Sequence, residues 1–167
     1  HVTDLDDVWT INGPTWFTDY GRRITDTHGY EKLATWDVLV KSSNIGMAKI
    51  GERIGIPSLY EATRTFGFGR RTGIELPGEL SGLLRPVALW DVYSPGSIPM
   101  GQELAVTPLQ LITAHAALAN GGQLVRPHLL KKMDEADQVR TSGARVVSPC
   151  ADVQSELLDS DIAEWLV

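Results

Sequence analysis

Between Gly67 and Val106 the chain carries Gly69, Gly73, Gly78, Gly82, Gly96 and Gly101 together with Pro77, Pro86, Pro95 and Pro99. Long regular elements do not survive that spacing, because glycine admits left-handed backbone and proline fixes φ and withholds an N–H donor. Regular structure is therefore pushed to either side. On the N-terminal side Leu33, Trp36 and Val40 recur at i, i+3 and i+7, which predicts one apolar stripe on a helix ending near Lys41. A second helix begins just after Ser42-Ser43, with Met47, Ile50 and Ile54 on its apolar face and Gly55 followed by Pro57 as its stop. Ser58-Leu59-Tyr60-Glu61 reads as a capping box that opens a third helix, stopped at Gly67.

On the C-terminal side Thr107-Pro108-Leu109-Gln110 combines an N-cap threonine, proline at the first helical position and glutamine at the third, a strong helix start. Leu109, Ile112 and Ala116 form one stripe, Leu111, His115 and Leu118 an adjacent one, and Asn120-Gly121-Gly122 ends the helix. His115 is accordingly a hydrogen-bonded packing histidine rather than a base. Gln123 to Leu130 predicts a short strand or extended return, which Pro127 would confine to a sheet edge. Met133 to Gly143 reads as polar loop, Arg145-Val146-Val147 as extended, and Ser148-Pro149 as the start of a helix carrying Val153 and Leu157. Before residue 30, Trp9, Trp16, Phe17 and Tyr20 lie among Gly, Pro, Thr and Asp without helical period, which predicts loop with short strands. The fold class is mainly α with a few short strands.

A length of 167 residues suits one domain, and a net charge of −6 argues against binding a polyanion. The basic residues cluster only as the pairs Arg22-Arg23, Arg70-Arg71 and Lys131-Lys132, so nucleic acid is not an expected partner. Cys150 is the single cysteine, which excludes an internal disulfide, and the four histidines show no zinc-ligand spacing. Asp4, Asp6 and Asp7 lack the glycine and terminal glutamate of a calcium loop and read as a solvated terminus. Neither a metal nor an organic cofactor is expected. No apolar run reaches the roughly 20 residues needed to cross a bilayer, and no signal peptide opens the sequence.

Lys41-Ser42-Ser43-Asn44 falls at the junction of two predicted helices. A Ser-x-Asn triplet offers one hydroxyl and one carboxamide from a short loop, groups able to bond to a substrate amide and pass a proton. The same residues suit a helix start, since Ser43 or Asn44 would satisfy free amides as an N-cap. The two roles are compatible when one residue caps and another faces a cleft.

The words around the triplet narrow the choice. Ile24-Thr25-Asp26-Thr27-His28, Val38-Leu39-Val40-Lys41-Ser42-Ser43-Asn44-Ile45-Gly46, Phe66-Gly67-Phe68-Gly69, Thr72-Gly73-Ile74-Glu75-Leu76-Pro77-Gly78-Glu79 and Val106-Thr107-Pro108-Leu109-Gln110 follow one another in this order. In this the chain resembles the transpeptidase domain of class B penicillin-binding proteins. The resemblance implies the helix-rich part of the α+β, serine β-lactamase-like transpeptidase fold. That family carries Ser-x-x-Lys with the nucleophile, Ser-x-Asn, and Lys-Ser/Thr-Gly on a strand beside the cleft. Only Ser-x-Asn is present here: no serine or threonine has a lysine three positions later, and no lysine precedes Ser/Thr-Gly. Arg71-Thr72-Gly73 does not substitute, because it lies in what the family uses as a connecting loop and arginine's charged fork is no replacement for lysine.

Residues 1–167 are therefore expected to be a partial transpeptidase domain, with the first motif upstream of His1 and the third downstream of Val167. The resemblance implies a parent D,D-transpeptidase that cross-links peptidoglycan stem peptides ending in D-Ala-D-Ala through a serine acyl-enzyme, and that binds β-lactams. Ser42 would relay a proton between the motif lysine and the departing D-alanine, and Asn44 would present its amide to that lysine and to the substrate. A β-lactam sensor, or a catalytically inactive scaffold of the same fold, is the alternative. The parent would be anchored in the cytoplasmic membrane with its catalytic domain outside; this piece alone would be soluble, inactive, and prone to self-association through apolar surface left uncovered. One departure is Gly101-Gln102-Glu103 where much of the family reads Gly-x-Gly, which puts the local backbone in doubt and makes Glu103 an expected exposed loop carboxylate.

Overall fold

The computed structural model describes residues 3–129 and 153–156. They fall into two compact units, one within His1–Thr63 and Leu84–Ala105, the other within Arg64–Leu83 and Val106–Val167.

The first unit opens on a long antiparallel hairpin, β1 (Val8–Phe17) and β2 (Arg23–Ala34), with Trp9 opposite Leu33 and Trp16 opposite Ile24. The stretch predicted as loop with short strands is thus two of the longest elements in the chain. Its alternation is hidden by a bulge: the register shifts between Thr10 and Thr15, where Asn12 and Gly13 take φ of 58° and 100°. Thr18 closes the tip, its N–H donating to the Arg22 carbonyl at 2.9 Å and its hydroxyl accepting from Arg22 N–H at 2.9 Å. Ile11, Ile24 and Leu33 then point into a core shared with Val38, Ile45, Ala48 and Ile50.

β2 runs directly into α1 (Thr35–Val40), so Leu33 belongs to the strand. The stripe predicted from Leu33, Trp36 and Val40 is not the helix's buried face. Trp36 and Val40 are 59% and 63% exposed, while Val38 carries the packing. Lys41 ends α1 as its spacing predicts, and α2 (Asn44–Ile54) follows after Ser42-Ser43, closed by Gly55 at φ 79°. Two glycines seat α2. A Cβ on Gly46 would fall 2.5 Å from Val38 Cγ2, and one on Gly51 would fall 2.0 Å from the Pro95 carbonyl oxygen. The third helix, α3 (Ile56–Thr65), starts two residues before Ser58, so Ser58 lies inside it and the predicted capping box does not form. Pro57 in the first turn suits that earlier start.

Beyond α3 the chain is mostly irregular, as the Gly and Pro spacing predicts, with two-residue strands β3 (Leu83–Leu84) and β4 (Leu104–Ala105) and the one-turn helix α4 (Ser94–Ser97). Arg22 ties the hairpin to α4 by donating to Ser97 Oγ at 2.5 Å. Glu103 is not the exposed loop carboxylate predicted. It is half-buried, pairs with Arg85 and accepts from Ser94 Oγ at 2.9 Å. Burial pushes its carboxyl up, but hydrogen bonds from Ser97, Ser94 and Arg85 outweigh that and hold it below its usual value. Asp7 is likewise more than a solvated terminus, since its Oδ2 accepts from Thr3 Oγ1 at 3.0 Å, from Asp4 N–H at 3.2 Å and from Arg53 at 3.3 Å.

In the second unit α5 (Pro108–Ala119) begins on the predicted capping box: Thr107 Oγ1 accepts from Gln110 N–H at 3.2 Å while Gln110 Oε1 accepts from Thr107 N–H at 2.9 Å. Its buried face is Gln110, Thr113, Ala114 and Ala117, not either leucine stripe; Ile112 is 66% exposed. The cause is Gln110, whose Nε2 donates to the Arg70 and Ser81 carbonyls at 2.6 and 2.8 Å and so turns that side inward. His115 is exposed, with Nδ1 2.8 Å from the Leu111 carbonyl. Arg71-Thr72-Gly73 lies in irregular loop, where Glu79 accepts from Thr72 N–H at 2.6 Å, Thr72 Oγ1 at 2.7 Å and Gly73 N–H at 3.1 Å. β5 (Gln123–Val125) pairs antiparallel with β6 (Val153–Glu156), which places Val153 on a strand rather than on the helix predicted from Ser148-Pro149. Met133 to Gly143, Arg145 to Val147, Cys150 and Leu157 lie outside the described residues.

Candidate active site

The junction between α1 and α2 is built by a sharp reversal. Lys41 N–H still bonds to Asp37 at 2.9 Å, but Ser42 N–H reaches Leu39 at 3.1 Å and Ser43 N–H reaches back to Val38 at 3.0 Å. Ser42 takes φ of 51°, the left-handed region that costs a non-glycine residue about 1–2 kcal/mol. That reversal turns Ser43 inward and leaves Ser42 outside. Ser42 is exposed and its hydroxyl has no hydrogen bond among the described residues.

Ser43 is 1% exposed and is the N-cap of α2. Its Oγ accepts from Gly46 N–H at 3.0 Å and donates to Asp26 Oδ2 at 2.5 Å. Asp26 Oδ1 accepts in turn from Ile45 N–H at 3.0 Å. A carboxylate beside the free amides and positive end of a helix is favourably placed. Asn44, the first residue of α2, is exposed and donates Nδ2 to the Thr25 carbonyl at 3.0 Å. One amide N–H and the Oδ1 acceptor remain for other partners, given the two donors and one carbonyl of an Asn side chain. The triplet thus divides: the middle residue caps, and Ser42 and Asn44 stay accessible.

Asp26 is the residue that its sequence position left without a role. An acid on a strand shows its target only when the strand and the helix it meets are both known. The lysines nearby are committed elsewhere. Lys41 Nζ stands 5.6 Å from the Tyr30 ring and 3.9 Å from Asp37, and Lys49 Nζ donates to the Thr10 carbonyl at 2.7 Å and covers Trp16 at 4.7 Å. Burial lowers the Lys49 pKa, with the Glu52 charge opposing. No group of His, Cys, Asp and Glu among the described residues is arranged to hold a metal ion.

The model of the penicillin binding protein transpeptidase domain matches residues 3–154. Penicillin-binding protein PbpB of Mycolicibacterium smegmatis is 36% identical over 153 residues, which is 89% of this chain and 24% of the relative. Peptidoglycan D,D-transpeptidase FtsI of Escherichia coli is 34% identical over 114 residues, 68% of this chain and 19% of the relative. The chain therefore spans a quarter or less of these relatives' length. The crystal structure of penicillin binding protein 3 from Mycobacterium tuberculosis complexed with aztreonam superposes with a TM-score of 0.82 at 29% identity, covering 98% of this chain and 35% of that one.

Proposed function

Because the chain belongs to the penicillin-binding-protein transpeptidase family, as a segment of a class B member, we propose that Ser42 and Asn44 serve peptidoglycan cross-linking in the intact protein. The observation that carries this reading is the division of the triplet, with Ser43 buried as the helix cap while Ser42 and Asn44 are exposed. A triplet serving only as a helix start has no use for two accessible polar neighbours, one of them in a strained backbone region.

The nucleophilic serine and its lysine come from a Ser-x-x-Lys elsewhere in the intact chain, and Lys-Ser/Thr-Gly from a further strand. The serine oxygen attacks the carbonyl of the penultimate D-Ala, its proton passing to the lysine amine, and collapse of the tetrahedral species breaks the D-Ala-D-Ala amide bond. Ser42 carries the proton from lysine to the departing amine, accepting with one lone pair and donating its own hydrogen. Asn44 offers Oδ1 to the lysine ammonium and its second N–H to the acyl-amide carbonyl. A β-lactam reacts with the same serine, its ring amide opening in place of the peptide bond. In this reading the intact protein is anchored in the cytoplasmic membrane with the domain outside; among the described residues no helix is long and apolar enough to cross a membrane.

The test uses the intact protein and a fluorescent penicillin. Losing a hydrogen bond to a charged group costs roughly 1.5–3 kcal/mol, so Asn44→Ala slows acylation about ten- to a hundredfold. Ser42→Ala is at least as slow. If both variants acylate at the parent rate while unfolding earlier, the triplet is only a cap. The isolated chain of residues 1–167 is not labelled; stoichiometric labelling that survives denaturation would refute the external nucleophile.

A further inference from the structure

We infer that Asp26 is a positioning residue for the reaction, acting through the start of α2 to fix both Ser42 and Asn44; the inference rests on the function proposed above. Its carboxylate bridges the two residues that flank Asn44, taking Ser43 Oγ at 2.5 Å and Ile45 N–H at 3.0 Å. The preceding residue's carbonyl takes Asn44 Nδ2 at 3.0 Å. Thr25-Asp26 thus grips three successive residues at the start of α2, its N-cap and its first two helical residues. The grip is rigid at its base, because the adjoining Ile24 is packed in the core with Ile45 and Ala48.

Each exposed side chain inherits its aim from this grip. Asn44 has one amide N–H tied to the strand, which fixes the plane of its carboxamide and hence where Oδ1 and the second N–H point. Ser42 is fixed indirectly. Its left-handed backbone persists only where surrounding structure over-determines it, and the inward bond of Ser43 to Asp26 and Gly46 is that constraint. Without Asp26, Ser43 loses its acceptor, Ile45 N–H loses its partner, and Ser42 is released toward an ordinary helix end. A displacement of about 1 Å in a proton-relaying group is enough to cost up to about a hundredfold in rate.

The experiment measures the second-order acylation rate by a fluorescent penicillin in the intact protein, with thermal unfolding recorded in parallel so that rates are read where every variant is folded. Asp26→Ala acylates at least about tenfold more slowly, and Asp26→Asn, which keeps an acceptor for Ile45 N–H and a donor for Ser43 Oγ, recovers most of that rate. Asp26→Glu keeps the charge but moves it out by one methylene; it loses acylation with little loss of melting temperature, and it decides the matter if Asp26→Ala does not fold. In a protein already carrying Ser42→Ala and Asn44→Ala, adding Asp26→Ala changes the residual rate by less than about threefold, because residues acting as one unit are not additive. Parent-like acylation by folded Asp26→Ala or Asp26→Glu, with Asn44→Ala still slow, overturns the positioning role and leaves the proposed function standing. Full multiplicativity in the combined variant overturns it too, by showing that Asp26 acts on the fold alone. Parent-like rates for both Ser42→Ala and Asn44→Ala remove the function and this inference together.

Discussion

Ser43→Ala separates the cap from the chemistry. Ser43 is 1% exposed, accepts from Gly46 N–H at 3.0 Å and donates to Asp26 at 2.5 Å. Losing the cap alone costs about 1 kcal/mol. Losing the bond to a carboxylate costs roughly 1.5–3 kcal/mol in a dry site, but Asp26 is half-buried and water replaces part of it, so about 1 kcal/mol is assigned to this loss. The sum, about 2 kcal/mol, exceeds the value for a simple cap, and at about 2–4 °C per kcal/mol for a chain of this size it lowers Tm by about 4–8 °C. The assay is urea unfolding of the 167-residue chain, with Ser42→Ala as control; that exposed residue shifts stability by less than about 0.5 kcal/mol. In the intact protein Ser43→Ala slows acylation by loosening Ser42, but less than Ser42→Ala, which removes the hydroxyl itself, or Asn44→Ala, since Asp26 still holds Ile45 and Thr25 still holds Asn44. A loss below about 0.7 kcal/mol, less than a typical cap, would refute the buried double bond, and acylation as slow as in Asn44→Ala would refute the division of roles.

Gly51→Ala tests the contact between α2 and α4. Alanine gains about 1 kcal/mol in helix propensity, but a Cβ 2.0 Å from the Pro95 carbonyl oxygen forces backbone apart, and overpacking costs about 1–3 kcal/mol or more; net destabilisation is expected, and a variant more stable than the parent in urea would show that the two helices do not meet there. Tyr20 supplies a pH dependence. Burial, then the hydrogen bond to Glu52 and that residue's charge, push its phenol up to about 12 from 10.0. Its contribution is therefore fully present below pH 10 and lost as pH rises toward 12; Tyr20→Phe flattens this alkaline limb, and an unchanged limb in the variant would exclude Tyr20 as the source. Trp36, Leu39 and Val40 leave an apolar patch on α1, and such surface drives association, so sedimentation of the chain is expected to show dimer at rising concentration and less of it in Leu39→Lys. A monomer throughout would sink that expectation.

What the chain shows by itself is the chemistry that is local. The box of Thr107 and Gln110 spans three positions, as does the bond from Gly46 N–H to Ser43 Oγ, so helix starts are written in short words. The hairpin was not legible, because the bulge at Asn12-Gly13 breaks the period of two on which a strand is recognised. The buried face of α5 was not legible either. Hydrophobicity puts the leucines inside, but one glutamine bonded to two backbone carbonyls 40 and 29 positions away decides the rotation instead. Asp26 meets Ser43 across 17 positions and carries no local signature.

Glu103 shows how the two kinds of information join. Its place, where the resemblance leads one to expect glycine, puts the backbone in question, and the backbone does take φ of 62°, as glycine would do without strain. A non-glycine residue there costs about 1–2 kcal/mol. The side chain supplies an offset that glycine cannot: an ion pair with Arg85 and a bond from Ser94 Oγ at 2.9 Å, in a half-buried site where charge-assisted bonds contribute about 1.5–3 kcal/mol before screening. The strain was local and could be located from the sequence, whereas the compensation comes from residues 18 and 9 positions back. A side chain where the backbone asks for glycine is therefore a pointer to a distant partner, and Arg85 and Ser94 are that partner here.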